Sequence, residues 1–214
     1  KSPFVAPPSP QPRTPLTAIT LFPPFFNDTA TTEIYTKDDQ KEFLGIVVHE
    51  CDRLRRLIDD LLNTSRIEAG ESLKPDYSTF AIEPLLQKVV KVQQQSSSKH
   101  TVLLKIHNEM PRSITADEDK LDQIFTNLLN DKYSPDGGDV TVHAQYEPDR
   151  DSFLFGIQDQ GLGIPKTDLK KVFERFHRVN NDDNRKIYGT GLGLFLVHHL
   201  VVDVHLGEIW VDSE

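Results

Sequence analysis

DQGLGIP (residues 159–165), VFERFHRV (172–179) and YGTGLGLFLV (188–197) decide how this chain is read. The first follows residues 152–158, where Phe153, Phe155 and Ile157 alternate with their neighbours at strand period. The third opens an apolar run, residues 192–202, suited to a buried helix. Glycine at such junctions permits positive φ and close approach of the backbone to a ligand. A helix start also offers unpaired N–H groups to a phosphate. The two glycine-rich stretches therefore mark a candidate nucleotide site. It is not a P-loop, because GxxxxGK[ST] occurs nowhere. Nor does GTGLGL have the spacing of a dinucleotide fingerprint, and polar residues rather than a strand precede it.

Downstream, residues 208–212 (EIWVD) read as a last strand. Upstream, Val140, Val142 and Ala144 alternate with Thr141, His143 and Gln145, which predicts a strand over 139–146, entered by the turn Asp136-Gly137-Gly138. Residues 117–130 predict a helix with Leu121, Ile124, Phe125, Leu128 and Leu129 on one face and Asp117 as N-cap. Residues 101–107 and 112–116 read as strands, and 84–97 as an amphipathic helix. No βαβ regularity is present. The pattern predicts an α+β fold, an α/β sandwich with helices on one face of a mixed sheet.

Residues 38–68 are different. Leu44, Val47, Cys51, Leu54, Ile58 and Leu61 recur three and four residues apart, a heptad seam. Phe43, Leu57 and Leu62 widen it to the stripe of a helical bundle. Such a helix requires a partner helix, and Gly70 is its expected stop. Before it, eight prolines between Pro3 and Pro24 exclude a continuous helix, at about 3 kcal/mol for each interior proline.

Bulk properties narrow the function. A formal net charge of −9 argues against non-specific nucleic-acid binding, which needs a basic face. The lone Cys51 excludes an internal disulfide framework and fits a reducing compartment. No apolar run approaches the roughly 20 residues of a membrane span. Because the chain begins at Lys1, the expectation is a cytoplasmic piece of a longer protein, with any sensor or inner-membrane anchor outside it.

The three quoted stretches resemble, in order, the G1, F and G2 boxes of bacterial sensor histidine kinases. NLLN…KYSPDGG from Asn127 resembles the family's N box, HLGEIWVDSE its next strand, and RLIDDLLNTSRIEAG the end of the second dimerisation helix. The resemblance implies a Bergerat-type (GHKL) ATP-binding α/β sandwich over 73–214, preceded by a dimerisation helix over 37–72 from a hairpin and four-helix bundle. It implies phosphorelay chemistry: the γ-phosphoryl group of ATP passes to a histidine and then to a response-regulator aspartate. ATP and Mg²⁺ are the implied cofactors, and a homodimer and a cognate receiver domain the implied partners.

Residue roles carry over on the same basis. Asp159 would accept a hydrogen bond from the adenine amine; a carboxylate only accepts, which favours adenine over guanine there. Gly161 and Gly163 would give the base room. Gly189, Thr190, Gly191, Leu192 and Gly193 would wrap the triphosphate. Residues 177–188 would form the ATP lid, with Arg178 or Arg175 within reach of the γ-phosphate. Asn127, Asn130, Lys132 and Tyr133 would complete the ATP site. Phe173 and Phe176 would pack the lid base.

Two departures from the family stand out. Four residues after Asn127, where the family has its Mg²⁺-binding Asn, stands Asp131, and two residues are missing before Lys132. Either Asp131 replaces the amide as metal ligand or Asn130 shifts into place. The second departure is FVAPPSPQPRTPLTAI, against the family's FVATVSHELRTPLTAI. Pro10 occupies the phosphoacceptor position and Gln11 that of the acidic base. The following FFNDTATTEIYT resembles translated sequencing-adapter DNA, so residues 1–36 read as a degraded or artefactual phosphoacceptor segment. The alternatives are a non-catalytic ATP-binding scaffold, favoured by Pro10, and another GHKL-type ATPase or an anti-sigma serine kinase, opposed by the heptad helix. His49 falls off the seam, and His198, His199 and His205 lack the spacing of a zinc site, since adjacent helical residues diverge by about 100°.

Overall fold

The computed structural model describes residues 37–95, 100–107, 110–130, 138–179 and 190–213. Helix α1 spans Lys37–Glu68, with Asp38 and Asp39 in its first turn and Arg66 in its last, each complementing the helix dipole. It stops where expected. Gly70 takes φ 74, its N–H donates to Ile67 O, and the Glu71 N–H donates to Arg66 O, a Schellman closure. Leu44, Val48, Ile58, Leu61 and Leu62 all lie about half exposed along it.

The chain divides into two compact units, Lys1–Leu62 and Asn63–Glu214. In the second, β1 (Ser78–Ala81) leads into α2 (Ile82–Gln95), followed by β2 (His100–Ile106), β3 (Ser113–Ala116) and α3 (Glu118–Asn130). Then come β4 (Gly138–Glu147), a 3-10 turn at Pro148–Arg150, β5 (Ser152–Gln158), and α4 (Gly193–His199), which runs on as a π-helical turn, Leu200–Val204.

The main sheet has the order β2-β4-β5, with β2 parallel and β5 antiparallel to β4. Strand alternation turns Val102, Val140, Val142 and Ala144 to one face, where they join Leu86 of α2, Phe125 of α3 and Leu196 of α4 in a single core. Full burial of each large aliphatic contributes about 1.5–3 kcal/mol. The mixed sheet under one helical layer is the predicted sandwich. As predicted, Asp117 caps α3: its Oδ1 accepts the Lys120 N–H at 3.0 Å.

One strand expectation is met and one needs correction. The strand expected over 112–116 is β3, Ser113–Ala116, which pairs antiparallel with β1 in a separate two-stranded sheet. Residues 208–212 form no strand. Alternation there is real, since Ile209 packs on the core while Trp210 is 58% exposed. A ladder also needs a neighbouring edge, and among the described residues none pairs with this segment.

Candidate nucleotide-binding site

The site grows from the end of β5. Asp159 follows its last residue, stands exposed, and accepts the Gly161 N–H on Oδ1 at 2.7 Å. This Asx turn commits one carboxylate oxygen and leaves the second to accept from a ligand. Gly163 takes φ 71, and the next N–H, of Ile164, donates to Ser213 Oγ at 2.7 Å, tying the loop to the C-terminal segment.

The F and G2 stretches meet backbone to backbone. The Phe176 N–H donates to Gly191 O at 2.9 Å. Gly191 takes φ 69, and a Cβ there would lie 2.8 Å from Phe176 C and 2.9 Å from His177 O. Only glycine fits. Thr190 Oγ1 accepts the Leu192 N–H at 3.3 Å, and buried Leu192 anchors the start of α4, where Gly193 is the first residue. Phe176 itself has φ 60 and is exposed. No sequence signal marks that junction, because an aromatic residue is not expected in the left-handed region.

On α3, Asn127 Nδ2 is buried with no hydrogen-bond partner among the described residues. An orphaned donor of this kind fits a site that receives an acceptor-rich ligand. Asn130 is directed elsewhere: its Oδ1 accepts Gln93 Nε2 at 2.9 Å. Arg178 is exposed, and Arg175 is ion-paired with Glu68. Pro10, Asp131, Lys132, Tyr133, Gly189 and lid residues 180–188 lie outside the described residues.

The histidines of the last helix are engaged locally. His198 packs by Phe173 and His199 by Phe195, with ring centroids 5.6 and 4.6 Å apart. His199 Nδ1 bonds Asp203, and His205 Nδ1 lies 2.8 Å from Leu200 O. A cavity of about 530 Å³ sits at the β4–β5 hairpin, lined by His107, Tyr146 and Arg150. It is roughly 20 Å along the strands from Asp159, too far to belong to the same site.

Residues 116–214 match the family described as Histidine kinase-, DNA gyrase B-, and HSP90-like ATPase, and residues 13–70 match the His Kinase A (phospho-acceptor) domain. The chain is 31% identical over 212 residues to sensor histidine kinase WalK of Bacillus subtilis (strain 168), covering 98% of this chain and 34% of WalK. It thus spans about a third of that relative's length. Among solved structures, the histidine kinase AdeS of Acinetobacter baumannii superposes with a TM-score of 0.56 at 21% identity, over 89% of this chain and 85% of AdeS. Histidine kinase ThkA, solved in complex with response regulator protein TrrA, gives a TM-score of 0.56 at 17% identity, over 94% of this chain and 55% of ThkA. The phospho-acceptor match precedes the ATPase match, the two together cover most of the chain, and the chain belongs to the sensor histidine kinases of two-component systems.

Proposed function

We propose that this chain is the core of an ATP-dependent protein histidine kinase, which passes the ATP γ-phosphoryl group to a histidine and then to a response-regulator aspartate. The observation that carries the ATP site is Asp159, held at the end of β5 with one oxygen in a turn and the other open. Adenine would bind there through its amine, with Gly161 and Gly163 beside it. Gly189, Thr190, Gly191, Leu192 and Gly193 would hold the phosphates, with Asn127, Lys132, Tyr133 and Arg178 contributing. Asp131 would hold Mg²⁺, whose charge offsets that of the phosphates; Asn130, whose amide oxygen already accepts Gln93 Nε2, does not take that place.

The partners follow the same reading. The half-exposed stripe of α1 supports a homodimer through a four-helix bundle. The ThkA complex supports a receiver domain as recipient of the phosphoryl group. No helix among the described residues is long and apolar enough to cross a membrane, and we place any anchor in segments outside this chain, with these residues on the cytoplasmic side. The phospho-acceptor match over 13–70 speaks against another GHKL-type ATPase or an anti-sigma serine kinase. The non-catalytic scaffold rests on Pro10 alone and finds no support in the sensor kinase relatives.

Pro10 nonetheless dictates the experiment. Its tertiary backbone nitrogen cannot accept a phosphoryl group. Prolines 7, 8, 10 and 12 also remove the helix that would present an imidazole. Orientation supplies about 7–11 kcal/mol in well-aligned reactions, so Pro10→His alone should do little. Pro10→His and Gln11→Glu, together with Ala at 7, 8 and 12, should yield acid-labile, base-stable label from γ-labelled ATP, absent from the unmodified chain. No label on the repaired chain, with ATP still bound, would overturn the kinase reading for residues 73–214.

A further inference from the structure

Glu68, the last residue of α1, is ion-paired through Oε1 with Arg175 Nη1. Both residues belong to the unit Asn63–Glu214. The same guanidinium lies over the Phe176 ring, with Cζ 4.8 Å from its centroid, in a cation–π contact. Phe176 needs such support. Its φ of 60 is one that side-chain-bearing residues seldom adopt, and at 55% exposure burial does little to hold it. It has two described restraints: the Arg175 guanidinium on its ring, and its own N–H on Gly191 O at 2.9 Å. Gly191 is packed against the Phe176 backbone with no space for a methyl group. A shift of Phe176 is therefore also a shift of Gly191.

We propose that Arg175 is a positioning residue for the nucleotide loop, and that its ion pair with Glu68 couples the end of α1 to Gly191. The chain of contact is Glu68 carboxylate, Arg175 guanidinium, Phe176 ring and backbone, Gly191. The inference rests on the ATP-site reading and adds to it a handle through which α1 biases that site. It also removes Arg175 from the γ-phosphate, because its charge is already answered by Glu68. The two side chains are 39% and 47% accessible, so solvent screens the pair. An exposed pair shifts an equilibrium at most about fivefold, which sets the scale of the effect.

The test uses the full chain with Glu68→Gln, Arg175→Gln, the double variant and Arg175→Lys. Two quantities are read: hydrogen exchange of the Phe176 amide without nucleotide, and the Kd for a fluorescent trinitrophenyl ATP analogue. Each Gln variant should raise both about two- to fivefold. The double should match Arg175→Gln rather than the product of the singles, since the two residues act in series. Arg175→Lys, which keeps the cation but loses the planar guanidinium on the ring, should fall between the unmodified chain and Arg175→Gln in both readouts. Unchanged Phe176 exchange in the single variants, or multiplying effects in the double, would overturn the coupling. Failure of the unmodified chain to bind the analogue would instead sink the ATP-site reading, while the exchange arm still decides the linkage.

Discussion

The Asp159 carboxylate receives the Gly161 N–H at 2.7 Å, so the residue proposed to read adenine also shapes the turn beneath the base. The two tasks separate by substitution. In Asp159→Asn the amide oxygen can keep the Gly161 bond while the amide nitrogen meets the adenine amine, donor against donor. A hydrogen bond to a charged group contributes about 1.5–3 kcal/mol, so ATP affinity should fall at least about tenfold. Isothermal titration reads it. Unchanged affinity would remove Asp159 from the site.

Gly191→Ala should both destabilise the chain and impair nucleotide binding. The new methyl group would meet Phe176 C at 2.8 Å, and φ 69 disfavours any side chain. The expected loss is about 1–3 kcal/mol, read by urea denaturation. Gly45 is the contrast. Among the described residues nothing beyond the helix's own backbone lies within 4 Å of a methyl group placed there on α1, so Gly45→Ala should stabilise by about 0.5–1 kcal/mol.

Acid sensitivity should concentrate at Asp117. Burial pushes its carboxyl pKa up, but the Asp76 N–H and the ammonium and N–H of Lys120 outweigh it and hold the carboxyl below its ordinary value. Asp76 N lies 2.8 Å and Lys120 Nζ 2.9 Å from Oδ2. A depressed folded-state pKa means that the stabilisation is present above the unfolded value of about 3.9 and is lost as pH falls through the folded one. Asp117→Ala should cost about 2–3 kcal/mol at pH 7 and flatten the decline of stability below pH 4. Equal pH dependence in both chains would refute this assignment.

Association should depend on α1. Leu61 is 54% exposed and Leu54 partly so, on one stripe of the helix. Leu54→Glu with Leu61→Glu places charges on that seam and should leave a monomer by light scattering. An unmodified chain already monomeric at tens of micromolar would mean that α1 alone is no dimerisation unit.

The features legible in the sequence share one property: their cause is local. The three-and-four spacing of Leu44 to Leu61 marks α1, Gly70 its end, and Asp117 the start of α3. What was missed depends on neighbours distant in sequence. Ser78–Ala81 turns only Phe80 toward the core, too short a pattern to announce a strand until β3 is seen beside it. Glu208–Asp212 alternates well but lacks a paired edge among the described residues. The π-helical turn at Leu200–Val204 has no marker residue. At the candidate site, the placing of Asp159 and the glycine loops follows from motif order. The left-handed Phe176 and the pairing of Arg175 with Glu68 do not, because they arise only when distant segments fold against one another.

The central strand of the main sheet has one near partner and one far partner, and this orders its assembly. Glu147 of β4 faces Ser152 of β5 across a short 3-10 turn, whereas Ile106 of β2 faces Ala144 across a long intervening stretch that includes β3 and α3. Closing a long loop costs more entropy than closing a hairpin, and parallel pairing requires the crossover to be in place. The β4–β5 hairpin is thus the expected nucleus, and joining β2 to it the slow step. Conservative core substitutions should divide accordingly: Ile157→Val in the hairpin should slow folding, and Val102→Ala in β2 should mainly speed unfolding.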